Sequence, residues 1–343
     1  MSKLWHFLEN LRIRTWLSIV VAISLIERTL LYTLYRPVVY NDTGGYRRAA
    51  DAILAGWANL DGTRTPGYPV FMALFGPDER VYLAQLVLGL ATTLLVFYLG
   101  WRVSRKGWFG ALAALVHTFN LGQIFFEANL ISESLTTFFI VFSLALMAWL
   151  LFTDAKRPLW QVLLVSLAAG LTAGLATLTR PLFVFLPFWA AFFLLVFWRK
   201  ALVKVRWGAA LSAGLAGILV IGAWMNFLYQ RFGVVSLSVM TGYNLIQHTG
   251  LFFEYVPDEY AGIRDTYIQF RNQRITDTGV PGNAIWDAIP VLEKVSGLGF
   301  IPLSNLLAKI SIQLILKHPF LYLRNVWTGW LWFWKVPVYW SST

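Results

Sequence analysis

Repeated apolar runs, each close to the length of a bilayer crossing, constrain this chain more than any other feature. The stretches 16–35, 81–101, 108–126, 131–152, 160–178, 181–198 and 207–229 are long enough, or nearly so, to cross about 30 Å of hydrocarbon as helices. Charged residues make up only 13% of the chain against 58% hydrophobic ones, and mean hydropathy is +0.61, which excludes a soluble domain. The expected fold class is an all-α polytopic membrane protein. Aromatic residues are abundant, as suits a chain with many bilayer interfaces. Cysteine is absent, which excludes disulfides, thiolate metal sites and cysteine nucleophiles. Lys3, Arg12 and Arg14 precede the first run, which continues to Tyr35 without a clear small-residue cleavage site, so it reads as a retained signal anchor.

The net charge of +11 raises the question of a nucleic-acid partner, and its distribution answers it. Segments 1–15, 102–107, 154–159 and 199–206 hold twelve Lys and Arg against Glu9 and Asp154, a net +10. Loop 35–80 holds five charges of each sign, and 231–324 holds eight basic and seven acidic residues. Nearly all the excess therefore lies in the turns that a cytoplasmic N-terminus places inside, the positive-inside pattern. No nucleic-acid partner is expected. The predicted location is a multi-pass protein of a bacterial inner membrane, with loop 36–80 and everything after Gln230 outside the cytoplasm.

This topology divides the chain into a transmembrane bundle of about seven spans, 1–229, an outward segment with short helices, 230–324, and an aromatic tail, 325–343. The tail reads as a truncated eighth span or an interfacial anchor. In the outward segment, Leu303, Leu306, Leu307, Ile310 and Leu314 form one apolar face, while Asn305, Lys309, Gln313 and Lys317 form a polar row. That pattern predicts a helix lying along the membrane. Small residues such as Gly170, Gly174 and Gly217 predict close helix approach.

Loop 36–80 carries the densest polar chemistry. Tyr46, Ala49, Ala50, Ile53, Leu54 and Trp57 recur at helical spacing, which predicts a short amphipathic helix. Asp42 before it either caps that helix or, with Thr43 as the cap, presents a free carboxylate able to take a proton. Glu127 and Glu133 fall at the outer ends of the third and fourth spans, where ionisable groups are costly. Arg180 sits in a near-absent loop, positioned either to fork onto a phosphate at headgroup depth or to snorkel to bulk lipid. Arg47, Arg48 and Arg64 are further loop cations. Glu27 and Arg28 fall inside the first span; adjacent helical positions do not face each other, so each is expected to meet a partner on another helix. The four histidines are scattered without metal-site spacing.

The loop acid in YND, the later TRTPGYPVFMALF, NLISESL, LTRPLFVFLP and NFLYQRFGVVSLSVMTGYNL together resemble the integral-membrane C-type (GT-C) glycosyltransferases. The likeness covers roughly residues 12–330 and points to the family-39-like branch, whose relatives include protein O-mannosyltransferases and lipid A aminoarabinose transferases. It implies a GT-C-like bundle that moves a sugar from a polyprenyl-phosphate donor to an extracytoplasmic acceptor, a glycolipid, protein or wall polymer, with inversion. Carried over by position, the catalytic acids would be Asp42 and Glu133, with Glu127 as substitute. Arg180, with Arg64, Arg47 and Arg48, would hold the donor phosphate, and Tyr46, Tyr68 and Tyr243 would line the sugar site. The acid pair that some relatives carry in this loop is here Asn41-Asp42, so no obligatory metal and no other cofactor is expected. Relatives are commonly longer, which leaves a truncated, non-catalytic membrane scaffold as an alternative. A lipid-linked-sugar transporter is the other, although the chain lacks the internal repeat such proteins carry.

Overall fold

The computed structural model describes residues 11–40, 42–152 and 157–335. Among them the regular structure is helical throughout, with one isolated parallel bridge between Val38 and Asn129. Five of the seven expected spans are single long helices: α1 (Ile13–Leu34), α4 (Asp78–Ser104), α7 (Glu133–Leu151), α8 (Leu159–Thr179) and α10 (Val203–Phe232). Between α1 and α4 lie two short helices, α2 (Thr43–Leu54) and α3 (Gly67–Phe75). The chain is a multi-pass, all-α membrane protein. Leu25, Ile26, Leu30 and Leu34 on α1, and Leu211, Leu215 and Leu219 on α10, are all exposed. Apolar surface repeated along a helix in this way is stable facing lipid and costly facing water.

The remaining two spans differ from simple helices. The third is broken: α5 (Gly107–Thr118) and α6 (Leu121–Ala128) meet at 55°. Asn120 makes the break, its side chain accepting a 3.0 Å hydrogen bond from the Gln123 amide and so capping a new helix in mid-span. The sixth begins as a 3-10 turn, Pro181–Phe183, and continues as α9 (Leu186–Phe197). Helix termini follow local chemistry. Asp78 and Glu79 open α4, where negative charge favours a helix N-terminus. Pro181 ends α8 by disfavouring helical geometry at Arg180, which is extended (φ −140°, ψ 115°).

The described residues form two compact units, divided after Trp224. In the first, small residues set the helix crossings. A Cβ on Gly110 would lie 2.7 Å from Phe97 O, and one on Gly174 would lie 3.1 Å from Gly217 O, so α4–α5 and α8–α10 pack backbone to backbone.

The second unit contains α11 (Thr241–Thr249), α12 (Ala261–Thr278), α13 (Ala284–Ser296), α14 (Phe300–Lys317) and α15 (Pro319–Phe333). Leu303, Leu307, Ile310 and Leu314 of α14 are its core, packed with Tyr243, Ile246, Ile285 and Leu292. The expected membrane-lying helix is thus corrected: its apolar face is covered by protein. Periodicity shows that a face is buried and is silent on what buries it. Of the tail, α15 ends at Phe333, the chain is described to Lys335, and residues 336–343 lie outside the described residues.

Candidate functional site

Two loop segments create the site. Val38 N donates to Ala128 O and Leu130 N to Val38 O, each at 3.0 Å, so the segment leaving α1 runs parallel to the segment leaving α6. Asp42 and Glu133 stand at the same offset beyond the bridge, at the starts of α2 and α7, which brings them to the same end of the bundle. Thr43 fastens the pair: its hydroxyl accepts from Tyr40 N (2.9 Å) and donates to Leu130 O (2.9 Å).

Asp42 occupies the N-cap position of α2 without using its side chain to cap. Its Oδ1 instead accepts a 2.8 Å bond from Arg64 Nη2, and 56% of its side chain is exposed. Arg64 lies over the Tyr46 ring at 5.1 Å, and glycine at position 45 is what lets it pack there, since a Cβ would stand 2.9 Å from Arg64 Nε. Asp61 has a different fate: its Oδ1 accepts from both the amide and the hydroxyl of Thr63, closing the turn that presents Arg64.

A third segment joins from α8. Thr65 Oγ1 donates to Thr179 O at 3.4 Å, and a Cβ on Gly67 would lie 2.7 Å from Leu178 O. The TRTPGYP segment therefore rests on the end of α8, immediately before Arg180. Arg180 forms an ion pair with Glu133 through Nη1, which also donates to Ser132 Oγ at 3.4 Å. Ser132 in turn shares a 3.2 Å hydrogen bond with the Tyr46 hydroxyl. The side chains thus form one line of contacts, Asp42–Arg64–Tyr46–Ser132–Arg180–Glu133, contributed by four segments at one end of the bundle.

The line is open to ligands at both ends. Asp42 Oδ2 and the other nitrogens of Arg180 have no partner among the described residues, and Arg180 is 38% exposed. Glu133 Oε2 is buried without a partner. Burial raises the Tyr46 phenol above its usual value, against the opposing pull of the Ser132 hydrogen bond, and burial raises Tyr68 well above its own. Both stay neutral near pH 7 and act as hydroxyls.

Other expected site residues lie elsewhere. Glu127 is enclosed, not beside Glu133: Arg28 Nη2 donates to its Oε1 at 2.8 Å, Gln123 Nε2 does so at 3.0 Å, and its exposure is 1%. Arg28 also reaches its neighbour Glu27 at 3.2 Å, because a long guanidinium arm can fold back along the helix where the backbone positions diverge. Arg47 pairs with Asp78 at the start of α4, so its charge is spent there. Arg48 is exposed and without an ion-pair partner among the described residues. Tyr68 has no exposed surface and donates to Gln85 Oε1 at 2.6 Å, so it supports Tyr46 from below (ring centroids 4.9 Å apart) and lines no open site. Tyr243 is a core residue of the second unit, its hydroxyl donating to Phe300 O at 2.6 Å.

Sequence reasoning overlooked Ser132 as a linker and Gln85 as a support. Gln85 Nε2 donates to Glu127 O (3.0 Å) and Asn129 O (2.8 Å), satisfying carbonyls that the end of α6 leaves open. Its signal was available: an amide inside an apolar span needs partners. The helix predicted through Trp57 stops at Leu54, with Gly56 and Trp57 both at positive φ. No protein-family model matches the chain, and no curated protein matches it either.

Proposed function

We propose that the chain is a glycosyltransferase that moves a sugar from a polyprenyl-phosphate carrier to an acceptor outside the cytoplasm, with inversion. The observation that carries this reading is the line of contacts from Asp42 to Glu133. It offers an exposed carboxylate at one end and, at the other, an arginine whose free nitrogens can fork onto a phosphate. In the reaction the acceptor hydroxyl attacks the anomeric carbon while the bond to the phosphate oxygen breaks. Asp42 takes the hydroxyl proton, and polyprenyl phosphate leaves with the bonding electrons. Positive charge on the sugar and negative charge on the leaving phosphate both grow toward the transition state. Arg180 and Arg64 favour that second charge more than the ground state.

The test is transfer by the purified full chain in lipid, given a polyprenyl-phosphate sugar and a hydroxyl acceptor. Asp42→Asn should lower turnover about a hundredfold or more with normal folding, while Asp61→Asn should transfer normally. Unchanged turnover in Asp42→Asn would remove the base from this scheme. The broken span α5–α6 favours a second reading, a lipid-linked-sugar transporter, since broken helices are a transporter feature. Such a protein would move the labelled donor across a vesicle bilayer without cleaving it.

A further inference from the structure

The first unit carries a cavity at the end opposite Asp42, among the basic turns. It has a volume of about 570 Å³ and lies between the last turns of α4, α7 and α9. Its walls are apolar, with Leu99, Leu144, Phe152 and Phe193 among them, and its rim carries Arg199 and Lys200. Both cations are exposed, and neither has a side-chain partner among the described residues. A smaller, more enclosed cavity of about 220 Å³ adjoins it, lined by Arg157, Lys200 and the N-terminal turns of α8 and α10. Trp198 and Lys200 line both.

An independent observation bears on this junction. Trp198 is only 4% exposed, yet its indole N–H has no hydrogen-bond partner. Arg157 Nε is likewise buried and without a partner, its guanidinium stacked 3.4 Å over the Trp149 ring. Buried donors left unpaired cost stability, and two of them beside a doubly cationic cavity call for an acceptor-rich anion. The adjoining apolar cavity calls for a hydrocarbon chain attached to it.

We infer that these cavities form one binding site for an anionic phospholipid, its phosphate held among Arg157, Trp198 and Lys200 and an acyl chain in the apolar cavity. A zwitterionic lipid fits less well, because its ammonium group would meet Arg199 and Lys200. Basic pockets between spans take anionic headgroups for this reason. The site stands apart from the proposed sugar transfer and does not depend on it.

The experiment uses the delipidated full chain, reloaded with phosphatidylglycerol or with phosphatidylcholine, and counts the retained lipid by mass spectrometry. Phosphatidylglycerol should be retained in preference. Arg199→Gln and Lys200→Gln should each weaken its retention about fivefold, and Leu144→Trp, which narrows the apolar cavity at an exposed position, should weaken it as well. Lys204→Gln removes the same charge at the same end of the unit from a residue outside both cavities, and should retain the lipid normally. Equal retention of the two lipids, or equal loss in Lys204→Gln, would reduce the effect to general surface charge and overturn the site. Displacement of the lipid by inorganic phosphate alone would overturn it too, by assigning the cavity to a soluble anion.

Discussion

Two Arg–Glu pairs in the first unit use the same chemistry to opposite ends. Arg28 and Glu127 are 5% and 1% exposed, and Thr93, Gln123 and Glu27 close around them. Arg180 and Glu133 are 38% and 24% exposed, with guanidinium nitrogens to spare. The first pair ties α1 to the broken third span. It holds the short helix α6 in place, and thereby the segment that presents Glu133. The second pair stands at the end of the bundle where a ligand can replace one partner. Burial decides the difference. A closed pair cannot be opened without stranding a charge in low dielectric, whereas an open pair is worth little to the fold and is free to exchange partners.

The largest expected effect follows from removing one member of the closed pair. Arg28→Met should destabilise the protein by about 3–5 kcal/mol, read as a lower thermal midpoint and poor recovery in detergent. Adding Glu127→Leu should restore most of that loss, because it removes the stranded carboxylate. If the single variant folds as well as the parent, the pair does not lock α6 in place.

Next in size is the crossing that lets Glu127 in. A Cβ on Gly89 would land on the Glu127 carboxylate. Gly89→Ala should therefore cost about 1–3 kcal/mol through overpacking, and the shorter Glu127→Asp should relieve part of it. Full stability in Gly89→Ala would mean the carboxylate is free to move, and the contrast between the two pairs would weaken.

A third pair, in the second unit, lies between these extremes. Arg271 is buried and bonds both oxygens of Glu254, at 2.6 and 3.1 Å, while Glu254 is 52% exposed. Those hydrogen bonds hold the Glu254 carboxyl below the usual range. A depressed folded value contributes stability that is complete above the unfolded value of about 4.3 and is lost as pH falls through the folded one. Amide protection at residues 250–275 of the full chain, corrected for the pH dependence of intrinsic exchange, should therefore fall below about pH 4. In Glu254→Gln that acid response should be flatter. An unchanged response would place the acid-sensitive group elsewhere.

Much of this was legible in the sequence. Apolar run length located five spans because a membrane helix must satisfy its own backbone and cover its length with apolar side chains. Glu133 stood out, with Glu127, because charge at a membrane edge is expensive. Asp42 stood out as a loop acid before a helix, Arg180 by its near-absent loop, and Arg64 only as one of three loop cations. What stayed hidden depended on partners. No local pattern tells that Glu127 meets Arg28 across two helices while Glu133 meets Arg180, since both glutamates sit in similar apolar surroundings. Nor does periodicity tell that Leu303, Leu307 and Leu314 of α14 are covered by protein, while Leu316 is exposed. The break at Asn120 was readable in principle, because an N-cap residue inside an apolar run is a helix start. It was masked by the uniform apolarity on either side.

The smallest effect on stability, and the sharpest test of the comparison, belongs to Arg180. As a partly exposed pair, Arg180–Glu133 should contribute only about 0–1 kcal/mol, so Arg180→Ala should melt close to the parent. Its consequence should instead appear in sugar transfer, if the proposed activity holds. Arg180→Lys keeps the charge and loses the planar fork, so it should retain part of the rate, while Arg180→Ala should lose more, in donor affinity, turnover or both. The measurement is initial rate against donor concentration for the three proteins in one lipid, corrected for folded protein. Superimposed curves would make Arg180 an anchor to bulk lipid and shift the phosphate site toward Arg64 and the exposed Arg48. A large loss of stability without a kinetic change would be more damaging, because Arg180 would then behave as Arg28 does and the distinction between an open and a closed pair would fail.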